Sequence, residues 1–176
     1  QEARVRGVDF PEGYNKWLLD LVAIATVTDI VPIIGENRVL EKYGLVVLNK
    51  TRRVGLKKLV EISGGTFGEL DTVSIGYQIG PRLNAAGRIK HATEALNLLI
   101  EEDEAKATEL AMHLNQTNVE RQKASQKMFE EAKQMVGELG DRKMLVVAGD
   151  GWNPGLVGLV AGKLVSEHSV PVFAVG

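Results

Sequence analysis

Cysteine is absent from the 176 residues, which excludes disulfides and thiolate metal sites and fits a reducing compartment. Long apolar runs are also missing. None approaches the roughly 20 residues of a membrane span. The opening QEARVRGVDF carries charges where a signal peptide needs its apolar stretch, and it has no initiator methionine. A piece of a longer protein is therefore expected. There is no excess of one charge: 21 Lys and Arg oppose 23 Asp and Glu, for a net charge of −2. So even a balance gives no bulk argument for a nucleic-acid partner, and any such argument must come from local clusters. The chain shows no internal repeat, no low-complexity tract, no Walker loop, no complete dinucleotide fingerprint and no nucleophile motif. His91, His113 and His168 show no metal-ligand spacing, and of the three only His91, close after Arg88, is kept as a site candidate.

What is present is 44% hydrophobic residues, enough for a core, arranged first at helical and then at strand periodicity. EGYNKWLLDLVAIATV repeats apolar residues at three- and four-residue spacing, with Asn15 as the expected N-cap. ENRVLEKYGLVVLNK predicts a second helix with Val39, Leu40, Tyr43, Val47 and Leu48 inward, and GLKKLVEIS a short third. ELDTVSIGYQIGPRLNAAGR predicts a short helix, a Gly-Pro break and then a polar motif. ATEALNLLI is a helix, and the stretch from Asp103 to Val136 is a much longer one. In its middle Asn115, Asn118, Arg121 and Ser125 take the inward register, which suits a helix that joins two bodies and is open to a cleft. After GELGDRK the period changes. MLVVA, a GDGWNPG loop, the helix LVGLVAGKLVSEH and VPVFAVG form a strand–helix–strand unit with parallel pairing and a right-handed crossover.

Four features could carry chemistry. Asp29 follows an almost wholly apolar helix. It is either a turn cap or a carboxylate with a partner, because a lone buried carboxylate costs several kcal/mol. Arg82, Asn84 and Arg88 in GPRLNAAGRI bring guanidinium forks close to glycines. That arrangement suits a phosphate, and equally a solvated loop with Asn84 as a cap. GDGWNPGLVG runs from a strand into a helix N-terminus, which favours an anion. There Asn153 offers an amide and Trp152 a face for a base, or else Trp152 simply fills core. Lys50, Arg52, Arg53, Lys57 and Lys58 form a basic cluster that either tracks a phosphate backbone or is a solvated face.

Taken in order, LLDLVAIATVTDIVPIIGENRVL, GPRLNAAGRI, LNQTNVERQ and GWNPGLVGLVAGKL resemble the RecJ family of single-strand-specific DNA exonucleases, within the DHH/DHHA1 phosphoesterases. The resemblance covers nearly the whole chain and implies an α/β fold. Residues 1–78 would be the mostly helical C-terminal part of a DHH domain. Residues 79–137 would be a substrate-motif loop and connector helices, and residues 138–176 the βαβ start of a DHHA1 domain. The implied activity is metal-dependent phosphodiester hydrolysis from the 5′ end of single-stranded DNA, in repair and recombination, in the cytoplasm. Mn²⁺ or Mg²⁺ would form a two-metal centre. Asp29 would be the catalytic metal ligand, while Arg82, Asn84, Arg88, Trp152, Asn153, Gly155 and Gly158 would bind substrate. A monomer is implied, with single-stranded DNA as partner, no membrane, and a single-strand-binding protein or helicase as an associate. The sequence departs from the family by lacking the DHH triplet, by having Asn153 where His is frequent and Lys163 where Arg is frequent. This chain alone is accordingly expected to be inactive. The alternatives are a DHH-type oligonucleotide or cyclic-dinucleotide phosphodiesterase, or a non-catalytic nucleic-acid-binding scaffold.

Overall fold

The computed structural model describes residues 5–7 and 11–176. The helices are α1 (Tyr14–Trp17), α2 (Leu19–Thr28), α3 (Gly35–Leu48), α4 (Val54–Ile62), α5 (Thr72–Ser74), α6 (Gly80–Ile89), α7 (Thr93–Ile100), α8 (Glu104–Val136) and α9 (Pro154–His168). The strands are β1 (Leu145–Ala148) and β2 (Val172–Val175). The chain divides into two compact units, each built from two stretches: 1–81 with 98–111, and 82–97 with 112–176.

The first unit is helical. Ala23, Ile24, Leu48, Leu56, Leu59, Val60, Ile75, Ile79 and Leu98 form its buried apolar core. Close approach is set by glycine. A Cβ on Gly44 would stand 2.7 Å from both Ala23 Cβ and the Leu19 carbonyl oxygen, so α3 meets α2 through its bare position. This corrects the inward set expected for α3. Val39, Leu40 and Tyr43 are exposed; Leu48 is buried as expected, and with it the helix buries Glu41 and Gly44. The expected Asn15 cap is also not formed, since Gly13 and Leu18 occupy the N-cap positions of α1 and α2. Buried Asp20 is satisfied by the Thr51 hydroxyl at 2.8 Å, Arg53 Nε at 3.1 Å and the Leu21 amide at 2.7 Å.

The predicted Gly-Pro break does not occur. Asp71 and Ser74 form a reciprocal capping box at α5. The chain then winds through a π-helical turn over Ile75–Ile79 directly into α6, with Pro81 in its first turn. Pro81 lacks the amide that would continue this ladder, and the wider π turn, in which the Gly80 amide donates to the Ile75 carbonyl, carries the helix past it.

The second unit carries the βαβ element. β1 and β2 pair in parallel, Leu145 opposite Val172 through Ala148 opposite Val175, and α9 is the crossover. Met128, Phe129, Ala132 and Val136 of α8 pack with Leu145, Val147, Trp152, Leu156, Val160 and Leu164.

Candidate nucleic-acid interface

Asp29 is the C-cap of α2. Its side chain is exposed and has no hydrogen bond or ion pair among the described residues. The surrounding turn is strained. The Ile30 amide donates to the Val27 carbonyl at 3.1 Å and the Val31 amide to the Thr26 carbonyl at 3.0 Å, a helix-ending pattern that normally places glycine at its left-handed residue. Here that residue is Ile30, with φ 54° and 87% exposure. A β-branched residue there costs about 1–2 kcal/mol. The helix also has no basic residue in its last turn, so the Asp29 carboxylate lies unneutralised at the negative end of the helix dipole. The uncompensated charge favours a cation at this point. The head of α6 lies beside it in the same unit, because a Cβ on Gly80 would come within 2.4 Å of Thr28 Cγ2.

A Mn²⁺ or Mg²⁺ centre needs several oxygen ligands. Among the described residues no three His, Asp or Glu side chains gather to hold a metal. Asp29 offers one hard oxygen donor, and the described residues alone do not fit a two-metal centre.

In the second unit α6 turns Ala85 and Ala86 wholly inward, which explains the alanine pair inside the polar motif. Arg82 Nε donates to Asn115 Oδ1 of α8 at 2.9 Å, and burial lowers the Arg82 pKa. Asn84 is exposed and its amide has no partner among the described residues, so it is not a cap. Arg88 Nη1 donates to the Gly155 carbonyl at the start of α9, at 3.2 Å.

Asn153 caps α9 through Oδ1, which accepts from the Gly155 amide at 2.8 Å. Trp152 is a core residue. It is 5% exposed, and its Nε1 donates to Glu131 Oε2 at 2.8 Å. The indole lies so close to Gly149 that a Cβ there would come within 2.0 Å of the ring. Buried in this way, its face cannot stack a base; what it does is clamp the strand–helix turn. Gly158 is exposed, and a methyl group added to it would have no atom within 4 Å. His91 is accounted for locally, its Nδ1 accepting from the Thr93 amide at 3.2 Å. Much of the basic cluster is engaged in the fold too. Arg53 pairs with Asp20, Lys58 with Glu61 and Glu104, and Arg52 lies 3.8 Å over the Trp17 ring.

Residue type and spacing do not single out Arg121 as a site residue, although its place in the polar stripe of the long helix is the available signal. Its Nε is buried without a hydrogen-bond partner among the described residues. Its pKa is lowered by burial and then by the neighbouring charge of Arg88. Neither Arg88 nor Arg121 has a carboxylate within 4 Å among the described residues. Asn118, 3% exposed, likewise holds its Oδ1 without a partner. Arg88 is exposed and Arg121 half-buried, so the desolvated Arg121 Nε beside a like charge is where an anion would be most favoured.

No family model matches the chain. It is 49% identical over 160 residues to the single-stranded-DNA-specific exonuclease RecJ of Bacillus subtilis, covering 90% of this chain and 20% of that protein. Its fold superposes on the crystal structure of RecJ in complex with Mg²⁺ from Thermus thermophilus with a TM-score of 0.84 at 31% identity, over 98% of this chain and 26% of that one. In sequence and fold the chain matches a part of RecJ exonucleases. A crystal structure of exonuclease RecJ bound to manganese matches at a TM-score of 0.82 and 32% identity, over 98% of this chain and 43% of that one. The α/β architecture is thus that of RecJ structures, and the chain spans about a fifth of the Bacillus subtilis relative.

Proposed function

We propose that this chain is part of a metal-dependent exonuclease that degrades single-stranded DNA from its 5′ end in repair and recombination. The observation that carries the reading is the uncompensated pair of guanidiniums, Arg88 and Arg121, next to the Asn153-capped start of α9. Together they form an anion-seeking surface on a chain of RecJ-family sequence. The named activity and the bound Mg²⁺ and Mn²⁺ of its relatives support the chemistry.

Arg82, Asn84 and Arg88 hold backbone phosphates through charge-assisted hydrogen bonds. Asn153 and Trp152 fix the turn that presents Gly155 and Gly158. Asp29 supplies one metal ligand, and the other ligands come from outside this chain. The metals, Mn²⁺ or Mg²⁺, supply water activation and charge stabilisation when bound. Residues 1–78 close a DHH domain, 79–137 connect, and 138–176 open a DHHA1 domain. No helix among the described residues is long and apolar enough to cross a membrane. The cytoplasm is proposed as its compartment because the proposed substrate, DNA, lies there.

The test uses the full-length protein. Asp29→Ala should abolish Mn²⁺- or Mg²⁺-dependent cleavage of single-stranded DNA while binding of the strand persists. Unchanged turnover would remove Asp29 from the metal site. Arg88→Ala should flatten the salt dependence of binding by about 0.7 in log–log slope, the loss of one single-strand phosphate contact. The 176-residue chain alone should not cleave.

A further inference from the structure

Lys90, Glu94 and His113 form a second polar cluster, apart from the arginine surface and wholly within the second unit. Lys90 directly follows α6, Glu94 stands in the first turn of α7, and His113 belongs to α8. Two main-chain bonds fix the turn between α6 and α7. The Lys90 amide donates to the Ala86 carbonyl at 2.8 Å, and the Glu94 amide to the His91 carbonyl at 3.1 Å. One imidazole nitrogen then meets both charged side chains. His113 Nε2 lies 2.9 Å from Lys90 Nζ and 3.3 Å from Glu94 Oε2.

The two contacts need opposite states of that nitrogen. An ammonium has only donors, so the Lys90 contact requires Nε2 to offer its lone pair, with the ring proton on Nδ1. A carboxylate has only acceptors, so the Glu94 contact is a hydrogen bond only when Nε2 carries a proton. With the Lys90 ammonium at 2.9 Å the ring is in the first state. Glu94 Oε2 is accordingly buried with no hydrogen-bond partner among the described residues. A buried oxygen left unsatisfied is costly, and protonation of His113 would supply its missing donor while repelling Lys90. Glu94 is the one carboxylate within 4 Å of the ring nitrogens among the described residues. Of the other charged or titratable groups on the same elements, Arg88 is bonded to Gly155, His91 Nδ1 is engaged by Thr93, and Glu109 lies one turn back on α8 itself.

We propose that His113 is a proton-driven switch. When neutral it holds the Lys90 ammonium. When protonated on Nε2 it bonds Glu94 and sets Lys90 free, an exposed cation two residues beyond Arg88. Imidazole is the side chain whose charge ordinarily changes between about pH 5 and 8. The consequence for binding rests on the nuclease reading: the released ammonium takes a backbone phosphate next to the one at Arg88, so acid tightens the hold on a single strand.

Long-range nitrogen–proton NMR spectra of the imidazoles in the 176-residue chain, from about pH 8 down to about pH 5, read the switch itself. At the alkaline end His113 Nε2 should be bare and Nδ1 protonated; at the acid end both should carry protons. Glu94→Gln should move the His113 transition to lower pH, because it removes the partner of the charged ring. Lys90→Met should move it to higher pH, because it removes the cation that opposes the charge. A proton on Nε2 at the alkaline end, or a transition indifferent to both variants, overturns the switch. In oligothymidylate binding the log–log salt slope should be steeper at the acid end by about 0.7, one single-strand phosphate, and Lys90→Met should abolish that difference. Arg88→Ala at the alkaline end separates the two ideas. If it flattens the slope while Lys90→Met leaves the acid gain intact, the nuclease reading survives and the release of Lys90 to the strand is wrong. If it changes nothing while the spectra show the exchange, the switch stands and the nuclease reading fails.

Discussion

Gly155 and Arg88, 67 positions apart, hold each other by main chain and side chain at once. The Arg88 guanidinium donates to the Gly155 carbonyl at 3.2 Å, and a Cβ on Gly155 would stand 2.2 Å from the Arg88 carbonyl oxygen. This contact brings the end of GPRLNAAGRI against the start of the GWNPG helix. It also fixes where the Arg88 charge points.

Gly155→Ala should therefore destabilise the chain by about 1–3 kcal/mol, as overpacking against rigid backbone does, and should weaken single-strand binding through displaced Arg88. Gly162→Ala, with open space at its Cβ, should instead raise stability by about 0.5–1 kcal/mol. Urea denaturation of the two variants side by side checks the opposite signs. A neutral Gly155→Ala would mean the two segments are not in contact.

Asp29→Asn should stabilise the isolated chain by about 0.3–1 kcal/mol, since it removes a negative charge from a helix C-terminus that has no basic neighbour in its last turn. The gain should shrink with added salt. Loss of stability in low-salt denaturation would show that the carboxylate has a favourable partner.

Ile30→Gly should raise stability by up to about 1–2 kcal/mol by relieving the left-handed backbone at φ 54°. The 87% exposed side chain gives up little packing. A drop in melting temperature would mean that Ile30 makes contacts worth more than the strain. Since strain of this kind collects at functional turns, the same change in the full-length protein should lower turnover.

Glu41 is 3% exposed and neither carboxylate oxygen has a hydrogen-bond partner among the described residues. Burial raises its pKa above the ordinary 4.5. The folded state then binds the proton more tightly than the unfolded chain. Its contribution is most favourable below about pH 4.5 and is lost as pH rises through the folded value. Glu41→Met should remove that loss and add about 1–3 kcal/mol at pH 7. Stability curves of the two proteins from pH 4 to 8 should converge at the acid end. Parallel curves would mean that Glu41 does not titrate in this range.

Local chemistry made much of this chain legible in advance. The long helix, the strand–helix–strand unit with its parallel pairing and the polar stripe from Asn115 to Ser125 all follow from apolar period, which depends on neighbours in the chain. Four ordered motifs carried the family, and the resemblance implied the α/β class.

Period could not show what depends on distant partners. It counts large apolar residues, so it turned Val39 and Tyr43 inward, whereas α3 approaches α2 at Gly44, where there is no side chain to count. It left Trp152 open between stacking face and core, which Glu131 and Gly149 decided. It took Gly-Pro for a break, although a π turn leads the chain into α6 without one. Arg121 is the clearest case. Its sequence neighbours mark it only as polar, and it became a candidate ligand when folding placed it beside Arg88 with its Nε buried and no carboxylate within 4 Å among the described residues. Residue type and spacing determine local conformation; tertiary packing decides which charges are left uncompensated, because desolvation and pairing depend on what surrounds a group in space.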